Sequence, residues 1–278
     1  MTESSHLDAV RTSYDTVAAD YARFFGAALA EPPLDHAMPA AFADLVRAGG
    51  SGPVADLGCG PGRVTAHLAS LGLDAFGVDL SPGMVEVARR TYPGLRFEVG
   101  AMPALDLPDG GLGGVLSWYS TVHTPLRELP AVVAEYHRVL APGGHLLLAF
   151  KAGDGHVRLE HAYGHPVTLD VHRHPPDRVA ALLAEAGFTE TACLVRAARG
   201  DERTPQAFLL VRRADGLSHT VASVAHESTW TPGGPLSYVP ACPPAAGAPL
   251  AHDPLGGISS CPSALPVRRA VSRTTRPA

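Results

Sequence analysis

The stretch VADLGCGPGRVTAHL, residues 54–68, restricts the fold more than any other part of the chain. Val54 to Leu57 read as a short buried strand, Gly58, Gly60 and Gly62 form a turn, and a helix follows from about Arg63. Glycines in such a turn let the backbone approach a bound group that a Cβ would hold off. The turn also aims the free N–H groups of the helix start at that group. The stretch is therefore expected to bind a cofactor.

The chain around it alternates strands and helices. Val10, Tyr14, Val17, Tyr21 and Phe24 recur at helical spacing, predicting an amphipathic helix through SYDTVAADYARFF. A second helix, with Asp35 as N-cap, runs through MPAAFADLVRAG. After the first strand come AFGVDL, LRFEV, GGVLSWY and HLLLAFK as further strands. Helices lie between or after them at MVEVARR, with Ser81 as N-cap and Pro82 first, at LPAVVAEYHRVL, which the turn APGG closes, and at PPDRVAALLAEAG. This order predicts a parallel sheet with helices on both faces. FTETACLVRAA and PQAFLLVRRA, joined by RGDERT, predict a hairpin, so one of the two strands runs against the rest. The expected fold is α/β: a doubly wound seven-stranded sheet with a reversed C-terminal hairpin strand at its edge.

After Arg213 the periodicity stops and Pro, Gly and Ser accumulate. The expected organisation is one domain over residues 1–213 and a disordered, dispensable low-complexity tail over 214–278. A net charge of −5 over 278 residues argues against nucleic acid or an anionic membrane as the main partner. No apolar run reaches the roughly 20 residues of a membrane span, and MTESSHLDAV lacks the regions of a signal peptide, so a cytoplasmic location is expected. The four cysteines are scattered without metal-type spacing. A small-molecule partner is the remaining default, and the oligomeric state stays open. Lys151 is the only lysine against many arginines, a bias attributable to gene base composition and carrying no chemistry by itself.

Two cofactor classes use a strand, a glycine turn and an acid at the end of the next strand. In the dinucleotide pattern G-x-G-x-x-G the third glycine falls one residue later than Gly62 does here. Asp79 suits a ribose under either reading.

DLGCGPG with Asp56 inside the strand, GVDLSPGM, and the RVLAPGG turn resemble the class I S-adenosylmethionine-dependent methyltransferases, over residues 10–213. The resemblance implies a Rossmann-like fold, S-adenosylmethionine as cofactor, and in-line methyl transfer to a small-molecule acceptor. Residue by residue, it implies that Gly58 and Gly60, with Cys59 between them, pack on the methionine part and that Asp56 helps to hold its amino group. Asp79 would accept from both ribose hydroxyls, Leu80 and Met84 would flank the adenine, and Arg63 would pair with the cofactor carboxylate. Plain helix packing for Met84 and a solvated surface role for Arg63 stay open. VGAMPAL has Ala101 where relatives often carry an acid, so adenine recognition falls to the backbone of Ala101 and Met102, with Asp106 or a water assisting.

The segment WYSTVHTP leaves the fourth main strand at the carboxyl edge of the sheet, where ligands bind in such folds. Trp118 and Tyr119 are candidates to line the cofactor or acceptor pocket. His123 is the candidate to face the acceptor and take its proton. Alternatives are a core aromatic for Tyr119 and a backbone hydrogen bond before Pro125 for His123. The histidine-rich AGDGHVRLEHAYGHPVTLDVHRHPP reads as an irregular lid in which Tyr163 and His165 touch the acceptor, while Tyr14 and Tyr21 close over the cofactor. Its histidines lack metal-ligand pairing, so no metal is expected. Two rival functions remain: a non-catalytic S-adenosylmethionine-binding protein, and a nicotinamide-dependent oxidoreductase, which would need a second domain and the other glycine spacing.

Overall fold

A computed structural model describes residues 3–25, 33–50, 52–200 and 202–215, all within one compact unit, Met1–Val221. Two helices, α1 (Glu3–Phe25) and α2 (Pro33–Ala48), precede the alternating part of the chain. It runs β1 (Val54–Leu57), α3 (Arg63–Ser70), β2 (Ala75–Asp79), α4 (Pro82–Thr91), β3 (Phe97–Val99), β4 (Leu112–Trp118), α5 (Leu129–Val139) and β5 (Leu140–Lys151). A hairpin of β6 (His156–Ala162) and β7 (His165–His172) follows, then α6 (Pro176–Glu185), β8 (Phe188–Arg196) and β9 (Gln206–Arg213). Among the described residues no helix is long and apolar enough to cross a membrane.

Seven strands form one sheet in the order β3-β2-β1-β4-β5-β9-β8, with every pair from β3 to β5 parallel and β9 antiparallel to both neighbours. The fold is thus Rossmann-like with one reversed strand. That strand is not the edge, as expected, but one place in. The reason lies in the side chains: β9 carries the run AFLLV, buried on both faces, whereas β8 alternates and is half exposed, as an edge strand can be.

Strand alternation sorts the core into two layers. Leu146 and Leu148 of β5 face α5 and α6, packing with Val133, Tyr136, Val179 and Leu183. Leu147 and Ala149 face α2 and α3, packing with Phe42, Val46, Val64 and Leu68. A third cluster fixes α1: Val10, Val17 and Ala18 lie with Met84 of α4 and Val167 and Leu169 of β7. Asp15 of α1 accepts from Ser81 Oγ at 2.6 Å and from Gly83 N at 2.9 Å, so α1 is also pinned at the start of α4.

Three expectations need correction. Helix α2 starts at Pro33, so Asp35 lies in its first turn instead of capping it, and its carboxylate is bound by Arg196 through Nε at 2.6 Å and a second nitrogen at 2.7 Å. The stretch read as an irregular lid is the β6–β7 hairpin, whose register shifts once, between Leu159 and His161. Its two-residue turn, Tyr163-Gly164, has φ of 52° and 84°, the doubly positive geometry of the preferred hairpin turns, and a tyrosine in that conformation is uncommon enough to conceal the signal. The APGG segment is the first part of β5, not a separate turn. The expected tail lies outside the described residues except for Ala214 and Asp215, which bond back to Gly187 and Arg212.

Candidate functional site

The glycine turn is stapled to the neighbouring strand. Gly58 N and Cys59 N both donate to Val78 O, at 2.7 and 3.1 Å, and Gly60 N donates to Asp79 Oδ2 at 2.8 Å. Asp79 Oδ1 accepts from Ser81 N at 2.8 Å. Each carboxylate oxygen can accept more than one hydrogen bond, so Asp79 is oriented by these donors and keeps acceptor capacity. Burial pushes its carboxyl up from the ordinary value, against the Ser81 and Gly60 N–H groups that favour its charge. Gly58 is required twice: its φ is 75°, and a Cβ there would sit 2.2 Å from Ser120 Cβ. Around Gly60, at φ 53°, no described residue other than its chain neighbours comes within 4 Å of where a Cβ would lie.

Asp56 is 1% exposed. Its Oδ2 accepts from Thr65 Oγ1 at 2.6 Å, while Oδ1 has no partner among the described residues. Desolvation pushes this carboxyl up to about 7, against the Thr65 hydrogen bond. Trp118 Nε1 is another buried polar atom without a partner among the described residues.

These groups border two adjoining cavities of about 140 and 260 Å³. Tyr14, Asp79, Leu80, Met84, Ala101, Met102 and His123 line the first. Asp56, Cys59 and Arg63 line the second, and Tyr21, Gly58, Gly60, Trp118 and Tyr119 line both. Met84 lines the first cavity and is 1% exposed in the α1–α4 cluster. Arg63 also stands 5.6 Å from the Phe25 ring centroid. Tyr119 has φ 56°, a rare conformation for a non-glycine residue and one that collects at functional sites.

Tyr163 and His165 line neither cavity. The hairpin packs along α1, which sets Tyr163 edge-on to Tyr21 at 5.1 Å and pairs His165 Nε2 with Asp20 at 2.8 Å. Their geometry is that of residues holding α1 down.

His123 is 8% exposed with both ring nitrogens engaged. Nδ1 lies 2.8 Å from Asp170 O, and a carbonyl can only accept, so Nδ1 carries the proton. Nε2 therefore accepts from the Tyr14 hydroxyl at 2.7 Å. Burial pulls the ring down to about 4, so it is neutral at physiological pH. The expectation of a histidine free to take a proton meets instead a ring that holds Tyr14. Burial raises the Tyr14 hydroxyl well above its ordinary value, and Tyr21, Tyr163 and Asp79 add to the rise.

Several wall residues have no counterpart among the sequence expectations. His6, Leu7, Val10 and Arg11 extend the α1 wall of the first cavity by about two more helical turns toward the N-terminus. Asp35, Lys151, Glu202 and Gln206 also line the second. For the former, the helical period continued N-terminally from Tyr14 was the available signal; for the latter there was only the solitary lysine.

Residues 54–144 match the family model described as a methyltransferase domain. A demethylmenaquinone methyltransferase from Beutenbergia cavernae is 33% identical over 160 residues, covering 49% of this chain and 65% of that protein. A malonyl-[acyl-carrier protein] O-methyltransferase from Serratia marcescens is 33% identical over 94 residues, covering 34% of this chain and 36% of its own length. The chain thus spans less than two thirds of either relative. Among solved structures, the Burkholderia thailandensis 1,6-didemethyltoxoflavin N1-methyltransferase, with its substrate and S-adenosylhomocysteine bound, superposes with a TM-score of 0.57 at 20% identity, covering 77% of this chain and 92% of the other. That likeness extends the fold assignment beyond the family match.

Proposed function

We propose that this chain, whose residues 54–144 belong to the methyltransferase domain family, uses S-adenosylmethionine to methylate a small-molecule acceptor. The observation that carries the reading is the bond from Gly60 N to Asp79 Oδ2, which makes the glycine turn and the ribose-type acid one unit on the wall of the first cavity. The residues present fit the cofactor. The unpartnered Asp56 Oδ1 suits its ammonium, Asp79 has lone pairs for two ribose hydroxyls, and Leu80, Ala101 and Met102 offer an apolar slot for a flat base.

When bound, the cofactor supplies a methyl carbon made electrophilic by the adjacent positive sulfur. Transfer of this kind gains most from alignment and exclusion of water. Tyr14 and Tyr21 of α1 supply that exclusion, with Tyr14 held by His123 and Tyr21 backed by Tyr163. A ring near pKa 4 with both nitrogens bound is a poor general base, so His123 acts as a positioning residue. The reaction then favours acceptors that need no base from the protein.

Calorimetry with S-adenosylhomocysteine and NADH tests the cofactor; binding of NADH alone overturns the reading. Labelled-methyl incorporation across acids, phenols and amines separates catalysis from mere binding, and a blank across the panel would favour a non-catalytic cofactor-binding protein.

A further inference from the structure

The second cavity has more wall than the glycine turn accounts for. Asp56, Gly58, Gly60 and Arg63 form one side. The other side comes from Lys151, the last residue of β5, and Gln206, the first of β9, which are directly paired in the sheet. Asp35 and Glu202 border them. Both acids are committed: Arg196 donates to Asp35 at 2.6 and 2.7 Å and to Glu202 at 2.6 and 2.7 Å, and Arg199 N adds a bond to Glu202 at 2.9 Å. The Lys151 side chain, by contrast, makes no hydrogen bond or ion pair with any described residue, although its charge helps to keep Glu202 ionised. The chain's single lysine is thus a cation at the carboxyl edge of the sheet whose acidic neighbours already have a partner. Tyr21, Phe25, Trp118 and Tyr119 supply aromatic wall, and Cys59, Pro61 and Val64 lie on the glycine-turn side.

We infer that this side of the second cavity is the acceptor subsite, and that it takes a planar aromatic carboxylate whose anionic group is held by Lys151 and whose ring lies among these aromatic walls. An ammonium is a compact point charge suited to one carboxylate oxygen, and ring stacking suits flat apolar surfaces. A cationic acceptor is disfavoured because the charges of Asp35 and Glu202 already face the Arg196 guanidinium. The inference rests on the cofactor reading above, which assigns the glycine-turn side of the cavity to the cofactor's amino-acid end.

The test uses the full chain saturated with S-adenosylhomocysteine, with 4-hydroxybenzoate and its uncharged analogue 4-hydroxybenzamide as probes. The carboxylate should bind about tenfold more tightly, as expected for a charge-assisted contact. Lys151→Gln should abolish that preference with S-adenosylhomocysteine affinity unchanged, and Lys151→Arg should keep it. Equal or unmeasurable binding of the two probes to the wild-type chain overturns the inference. So does a Lys151→Gln chain that keeps the preference, or one that loses cofactor affinity instead, which would make Lys151 part of the cofactor's own site. If S-adenosylhomocysteine fails to bind while the carboxylate preference persists, the cofactor reading falls and the anion subsite stands.

Discussion

Asp56 offers a direct measure of how the fold prepares the site for a cation. Its carboxyl is pushed up to about 7 by burial, from an ordinary value near 3.8. The folded state therefore binds this proton more tightly than the unfolded state does. The resulting stability is fully present below about pH 4 and is lost as pH rises through 7. At about 1.4 kcal/mol per pKa unit, the loss in the ligand-free chain is on the order of 4 kcal/mol. Asp56→Asn removes the titration and should flatten the pH dependence of stability by that amount, even if the buried amide shifts the absolute value. Urea unfolding of both ligand-free chains at pH 5 and pH 8 measures the part of that loss lying between the two pH values, about 3 kcal/mol, because the group has already lost the rest below pH 5. Binding of S-adenosylhomocysteine, whose ammonium would meet the unpartnered Oδ1, should drive the carboxyl to its charged form. At pH 7 it should release roughly half a proton, read by calorimetry in buffers of different ionisation heat. Parallel stability curves for the two chains would refute the burial argument. Proton release that survives in Asp56→Asn would refute the assignment of Asp56 to the ammonium.

Three further perturbations follow from the same geometry. Gly58→Ala drives a Cβ to 2.2 Å from Ser120 Cβ at φ 75°, so it should cost about 2 kcal/mol or more in urea unfolding, with Ser120→Gly in the same chain recovering part. Because burial pulls His123 down to about 4, its contribution to stability is present above pH 6.5 and lost as pH falls through 4; no break in kcat between pH 6 and 8 should come from this ring, and a break that disappears in His123→Gln would contradict its positioning role. Arg196→Met strands the carboxylates of Asp35 and Glu202, of which Asp35 is 1% exposed, and should lower stability by roughly 3–5 kcal/mol, measurable as a drop in the urea midpoint.

Strand–turn–helix around Gly58 was legible in the sequence because every part of it is local: an apolar run, glycines that permit positive φ, and an acid at the end of the next strand. The same holds for Ser81, whose side chain accepts from Met84 N at 3.1 Å as an N-cap should. The strand order was less accessible. Two adjacent apolar strands signal a hairpin, but only the packing of β9 on both faces moves the reversed strand inward and leaves β8 at the edge.

What only the tertiary structure decided is what non-local contacts create. His123 and Tyr14 are far apart in the chain and meet because α1 is clamped between α4 and the β6–β7 hairpin; the resulting burial, not the residue type, sets the histidine's protonation. Lys151 carries no message as a lone letter. It acquires one when β5 and β9 pair it with Gln206 and when Arg196 draws Asp35 and Glu202 away from it. The sequence by itself determined where a cofactor could approach the backbone, since that depends on a few consecutive residues. The acceptor wall is assembled from α2, β5, β9 and the β8–β9 connection, and burial and charge at such a place exist only after the chain has folded.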